Sequence, residues 1–167
     1  SSNVSSFTFK NCTNLTTINW NGFNPKRLNN SAFYGCSKIT WSQIPQSVEE
    51  LGATCFYECS SLTSVDLSRI KKMDTGVFWH TPLTSVEWPA AVTEIPANTF
   101  WGCHQLTTIK GIPSQPGAWD NITKIGANAF NECTALTTIK LPAELKTIDT
   151  QAFRTCTSLA TVDYGTK

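Results

Sequence analysis

Seven cysteines and two histidines are the residues with the most chemistry to offer in this 167-residue chain. Cys103 and His104 are adjacent, so a thiol stands beside a possible base. The cysteines as a set could form disulfides or hold zinc, and spacing decides between these uses. Six of them (Cys12, Cys36, Cys59, Cys103, Cys133 and Cys156) each stand three residues after a phenylalanine, and no local Cys-x-x-Cys pair gives the usual zinc signature. In successive copies of one structural unit, equivalent side chains point the same way. Their Cβ atoms then stay roughly 5 Å apart, wider than the ~3.8 Å a disulfide prefers. The set is therefore expected to be a ladder of free, buried thiols, each packing as a small hydrophobe and donating weakly to a turn carbonyl. Cys55, just before Phe56, is expected in the core as well.

Adjacent side chains rarely face each other, so Cys103-His104 is a poor catalytic pair. His104 stands where Thr13, Ser37 and Thr134 stand in other units, a solvent-facing loop position, and His80 is the only other histidine. Glu49, Glu50 and Glu58 supply no recurrent partner. No catalytic residue, metal site or cofactor is expected.

The elements that position these residues follow from the period. Phe9, Phe33, Phe56, Phe78, Phe100, Phe130 and Phe153 are 24, 23, 22, 22, 30 and 23 residues apart. Five residues before each stands Val4, Leu28, Leu51, Met73, Ile95, Ile125 or Ile148. A leucine or isoleucine follows each cysteine position, as in Leu62 and Leu136. A fixed period of this size means stacked supersecondary units that bury their apolar faces only against one another. One domain over residues 1–167 is expected, of about seven repeats of 22–24 residues. The fourth is one residue short near Thr81-Pro82, and residues 111–121 are inserted before the sixth. Such an insertion loops out on one face, either as a binding element or as a tolerated surface excursion.

Each unit ends in a tail such as Leu136-x-x-Ile139-x-Leu141-Pro142, whose alternation predicts a half-buried strand that the proline closes. A second short extended segment is expected around the apolar residue before the next phenylalanine, on the opposite side of the coil. A tight helical or 3₁₀ turn is expected at the phenylalanine itself. The fold class is thus an α/β repeat solenoid with a parallel sheet on one face, roughly 30 to 35 Å long at the strand spacing of ~4.8 Å.

The tail joined to Ile-x-x-x-Ala-Phe-x-x-Cys-x-x-Leu, clearest from Leu136 to Leu159, resembles the BspA-like leucine-rich repeat family. The resemblance spans all seven units. It implies a right-handed leucine-rich-repeat superhelix. It further implies a bacterial or protozoan protein, secreted or on the cell surface, that adheres to host proteins or other cells. Departures are the absent cysteine of the fourth unit, the insertion, and the aromatics Trp20, Trp88 and Tyr164 where an aliphatic is usual.

Three columns of variable residues are the candidate recognition surface. Residues flanking the central isoleucine of the tail should face outward. One column holds Trp41 among serines and threonines. The other holds Asp66 and Glu87 as an acidic step, then Lys110 and Lys140 as a basic one, a polarity that could set the register of a protein partner. The third column, one residue after each phenylalanine, holds Tyr34, Tyr57, Trp79 and Trp101 in four consecutive coils. These rings either form an exposed strip or pack over the turns. The expected partner is a protein on a host or neighbouring cell. A glycan bound by Tyr57, Trp79 and Trp101 is one alternative, and a spacer supporting another domain is the other. A net charge of +1 without Lys/Arg runs argues against nucleic acid, and no apolar run reaches the ~18 residues of a membrane span. The terminal units lack polar caps, so further chain before residue 1, or association of the ends, is expected. Asn11, Asn14, Asn29 and Asn121 lie in glycosylation sequons that matter only for a eukaryotic source.

Overall fold

Phenylalanine stacks on phenylalanine from one end of the molecule to the other. In the computed structural model, which describes residues 2–165, consecutive ring centroids are 5.2, 5.8, 6.0, 6.0, 5.4 and 5.2 Å apart from Phe9 to Phe153. The five inner rings are fully buried, with Leu28, Leu51, Ile95 and Ile125 on one side of them and Leu62, Leu83, Leu106 and Leu136 on the other. The period thus gives the expected parallel-strand solenoid of about seven coils. A single core runs along the stack axis.

Eleven strands form in chain order: β1 (Asn3–Val4), β2 (Arg27–Leu28), β3 (Glu50–Leu51), β4 (Lys72–Met73), β5 (Ser85–Trp88), β6 (Glu94–Ile95), β7 (Thr108–Gly111), β8 (Lys124–Ile125), β9 (Thr138–Lys140), β10 (Thr147–Ile148) and β11 (Thr161–Asp163). Two-residue strands before each phenylalanine build two parallel ladders, β1-β2-β3-β4 and β6-β8-β10. The tails form strands only in the last four coils, where β5 pairs with β7 and β9 with β11. Strands expected in the first three tails are absent. In the second coil a 3₁₀ turn, Trp41–Gln43, takes that place, and Gln43 replaces ladder bonds by accepting the Ile18 N–H at its side chain and the Trp20 indole at its carbonyl.

The turn around each phenylalanine is not the expected helical turn. Two residues before and two after the ring, every coil adopts left-handed φ between +53° and +70°: Thr54 and Glu58, Gly76 and His80, Asn98 and Gly102, Asn128 and Glu132. A right-handed helix cannot pass through such residues, so the segment becomes consecutive turns. The left-handed kinks turn alternate N–H groups along the stack, where they bond to the next coil. Phe33 donates to the Cys55 carbonyl at 3.0 Å, Phe56 to Val77 at 3.0 Å, Phe78 to Thr99 at 3.1 Å and Phe100 to Ala129 at 2.8 Å. The N–H groups between them close turns inside the coil, such as Cys36 onto Phe33 at 3.0 Å. Among the described residues the only helical element is the 3₁₀ turn.

The inserted segment does not loop out. Ile112, Ala118 and Trp119 are buried. Gln115 reaches Ser68 and Ala90, spanning coils, while the Trp119 indole donates to the Lys140 carbonyl at 2.7 Å. The insertion therefore clamps neighbouring coils where β7 and β9 do not pair. Trp88 is likewise absorbed, fully buried with its indole on the Val92 carbonyl.

At φ +70°, a Cβ added to Gly102 would lie 2.4 Å from Nδ1 of His80. Gly102→Ala should therefore lose more than the ~1–2 kcal/mol of left-handed strain in urea unfolding. In a His80→Ala background its cost should fall back toward that strain alone. Equal costs in both backgrounds would refute the contact.

Candidate functional site

The residue after each phenylalanine leaves the core because the ring itself points inward and the next residue must point away. This column brings Tyr34, Tyr57, Trp79 and Trp101 together as the third column of the sequence predicts. Tyr34 stacks on Tyr57 at 4.5 Å, Tyr57 meets Trp79 edge to face at 5.1 Å, and Trp79 stacks on Trp101 at 4.7 Å with planes 8° apart. All four are half-buried, so packing and exposure are both realised. The Trp79 indole N–H is buried without an acceptor among the described residues, which leaves stacking to hold that ring. Lys10 places its ammonium 4.7 Å from the Tyr34 ring centroid at one end, a cation–π contact. At the other end the column continues as Asn131, buried, and Arg154, exposed. His80 lies beside the strip, edge-on to Tyr57 at 5.7 Å and 6.5 Å from His104.

The charged column on the tail side is less unified. Glu87 stands opposite Lys110 in the β5–β7 pair, and Lys140 opposite Asp163 in the β9–β11 pair. Lys110 and Lys140 sit on strands that are not paired with each other. Asp66 accepts the Ser68 N–H at 3.0 Å, and hydrogen bonding to Ser68 holds its carboxyl below the ordinary carboxylate range. Trp41 does not stand on an outward strand face, because the 3₁₀ turn tilts its ring against Phe56 at 5.7 Å.

A charged rail on the opposite side of the coil escaped the sequence reading. Arg27 bonds Glu50 at 3.0 Å and Asp74 at 2.7 Å, Glu49 is shared by Lys26 and Lys71, and Lys124 pairs with Asp149 at 3.0 Å. The alternating signs of Arg27, Glu50, Lys72, Glu94 and Lys124, one residue before the apolar anchor, were the available signal.

All seven cysteines are free. Five thiols donate to the phenylalanine carbonyl of the preceding coil: Cys36 to Phe9, Cys59 to Phe33, Cys103 to Phe78, Cys133 to Phe100 and Cys156 to Phe130, at 3.0 to 3.2 Å. The unit without a cysteine has buried Thr81 there, its hydroxyl on the Phe78 carbonyl at 2.8 Å. Cys103 is buried and His104 exposed, so the two face apart. Burial pushes the Cys103 thiol up to about 11 and Cys55 to about 12, and raises Cys59 and Cys133 as well.

Stacked short parallel strands, an unbroken phenylalanine core and a variable outer surface define a leucine-rich-repeat solenoid, a repeat-based protein-interaction scaffold. The BspA-type leucine-rich repeat model matches residues 1–107 and 118–167 in six copies, and the chain belongs to that family. The gap in the match falls on the inserted segment. Among solved structures, a leucine-rich cell surface protein from Faecalibacterium prausnitzii is similar at 25% identity and TM-score 0.71, over 96% of this chain and 42% of that one. A leucine-rich repeat protein from Bacteroides ovatus is similar at 26% identity and TM-score 0.74, over 98% of this chain and 46% of that one. The chain thus spans less than half the length of either protein. Comparison with curated proteins finds no match.

Thiol reactivity follows from the ladder. At pH 8 a disulfide reagent should modify exposed Cys12 quickly, half-buried Cys156 more slowly and the five buried thiols only as the array opens, while seven thiols should react in denaturant without reductant. Fast modification of four or more in the native protein would contradict the buried ladder.

Proposed function

We propose that the chain is a non-enzymatic recognition module of a surface-exposed or secreted protein, and that it binds a protein partner through the aromatic strip. The observation carrying this reading is the row of four half-buried rings, Tyr34 to Trp101, in contact across four coils. Interfaces draw most of their energy from such pre-ordered aromatic anchors, and a row fixed by stacking loses little entropy on binding. The cell-surface relative supports the location.

Protein recognition is favoured over sugar recognition by ring orientation. A sugar stacks on an exposed aromatic face, whereas the rings of Trp79 and Trp101 stack on each other, as do those of Tyr34 and Tyr57. The strip is flanked by Lys10 on the Tyr34 ring and by His80 beside Tyr57. Asp66, Glu87, Lys110 and Lys140 are exposed on another surface and could orient the partner by charge, while Trp41 serves the core. Catalysis finds no support in a Cys103 whose thiol is buried and committed to a carbonyl.

Binding of fluorescent protein to intact host epithelial or bacterial cells tests the proposal by flow cytometry. Trp79→Ala/Trp101→Ala should weaken binding by at least about tenfold with the circular dichroism spectrum retained, and protease treatment of the cells should abolish it. Binding that survives protease but falls after glycosidase treatment would support the sugar reading. Absence of binding, or an unchanged signal from the tryptophan variant, would leave the spacer reading.

A further inference from the structure

The ladder of short strands is interrupted once, between β4 and β6. Elsewhere the residue after each apolar anchor donates its N–H to the anchor carbonyl of the preceding coil: Asn29 to Val4, Gly52 to Leu28, Asp74 to Leu51, Gly126 to Ile95 and Asp149 to Ile125, at 2.7 to 3.0 Å. At the remaining junction that residue is Pro96, which has no N–H. No hydrogen bond joins β4 to β6, and no Cα of Lys72–Met73 comes within 8 Å of a Cα of Glu94–Ile95. Paired strands lie ~4.8 Å apart, so a gap beyond 8 Å approaches the two spacings that an intervening strand requires.

The opening is wedge-shaped. At its closed end the same two coils remain bonded, Gly76 to Ala97 at 2.9 Å and Phe78 to Thr99 at 3.1 Å. At its open end lies a cleft of about 680 Å³. The carbonyls of Lys71 and Met73 occupy the edge of β4 that is bonded at every other junction, and the Glu94 N–H faces them across the gap without a partner among the described residues. Lys72 and Glu94, exposed on the two lips, belong to none of the ion pairs along the rail among the described residues.

We propose that this opening is a strand-addition site, taking a short extended segment of a protein partner with an acidic side chain set against Lys72. Backbone acceptors give such a site its affinity and alternate side chains its selectivity. The array supplies its own precedent. On the equivalent edge of β2, strand β3 places the Gly52 N–H on the Leu28 carbonyl at 2.7 Å and the Glu50 carboxylate on Arg27 at 3.0 Å. In β4, Met73 and Lys72 stand in register with Leu51 and Glu50, as these do with Leu28 and Arg27. An added segment therefore finds the same carbonyl and the same sign of charge that β2 offers β3. The β6 lip, blunted by Pro96, provides one donor and a wall. This surface is distinct from the aromatic strip, and the inference stands whether or not the strip binds a partner.

The probe is the acetylated, amidated hexapeptide Val-Glu-Glu-Leu-Gly-Ala, the sequence of residues 48–53, titrated into the isotope-labelled chain and followed by amide NMR. Saturable shifts confined to residues 71–75 and 93–95 are expected, with Kd below about 1 mM. Replacing the peptide glycine by N-methylglycine removes the donor for Met73 and should weaken binding by about tenfold. Lys72→Glu, a surface change, should weaken it similarly. No saturation at millimolar peptide, shifts centred on the aromatic strip, or equal binding in either control would overturn the proposal.

Discussion

Everything in this molecule depends on one backbone contact repeated along the stack, the N–H of each core phenylalanine donated to the next coil. No coil can satisfy its own turn or bury its own ring, so each exists as a folded element only against a neighbour. The left-handed residues on either side of the phenylalanine make that donation possible. They also make the turn locally unfavourable for residues such as Thr54 and Glu132, and coil-to-coil bonding holds them there. Phenylalanine rings and cysteine thiols reinforce the same register, the rings by stacking and the thiols by occupying the second lone pair of the phenylalanine carbonyl.

The repeat register was legible because burial restricts residue type. Phe, Cys and Leu recur where any other size or polarity would leave a void or an unpaired group. The turn geometry was hidden because a left-handed φ tolerates several residue types when the array compensates. Only Gly35, Gly76 and Gly102, with Asn11, Asn98 and Asn128, betray it. Alternation predicts tail strands in the first three coils that do not form, and in the first two it cannot reveal that Gln43 substitutes for a ladder partner. The columns of the aromatic strip and the tail charges followed from the register, whereas the tilt of Trp41 required the local turn. The ion-pair rail lies in plain sequence as a column of alternating sign one residue before each apolar anchor, but which opposite charges meet depends on the register of the two-residue strands.

Departures from the repeat divide into those the core absorbs and those that change the surface. Thr81 takes over a cysteine position by bonding its own coil's carbonyl, and Trp88 fills space against Phe100 at 6.0 Å. The insertion is held down by Gln115 and Trp119. Pro96 differs from these because nothing among the described residues replaces the hydrogen bond it removes. The scaffold is therefore regular in what it buries, while its individuality lies in outward columns and in one opened junction.

Residue-resolved amide exchange under native conditions tests the coil-to-coil account most directly, since each amide reports its own acceptor. The amides of Phe33, Phe56, Phe78 and Phe100 should be protected to a similar high degree, as should that of Gly126, while the Glu94 amide should exchange close to the unstructured rate. Rapid exchange at the phenylalanine amides, or protection of Glu94 equal to that of Gly126, would contradict it.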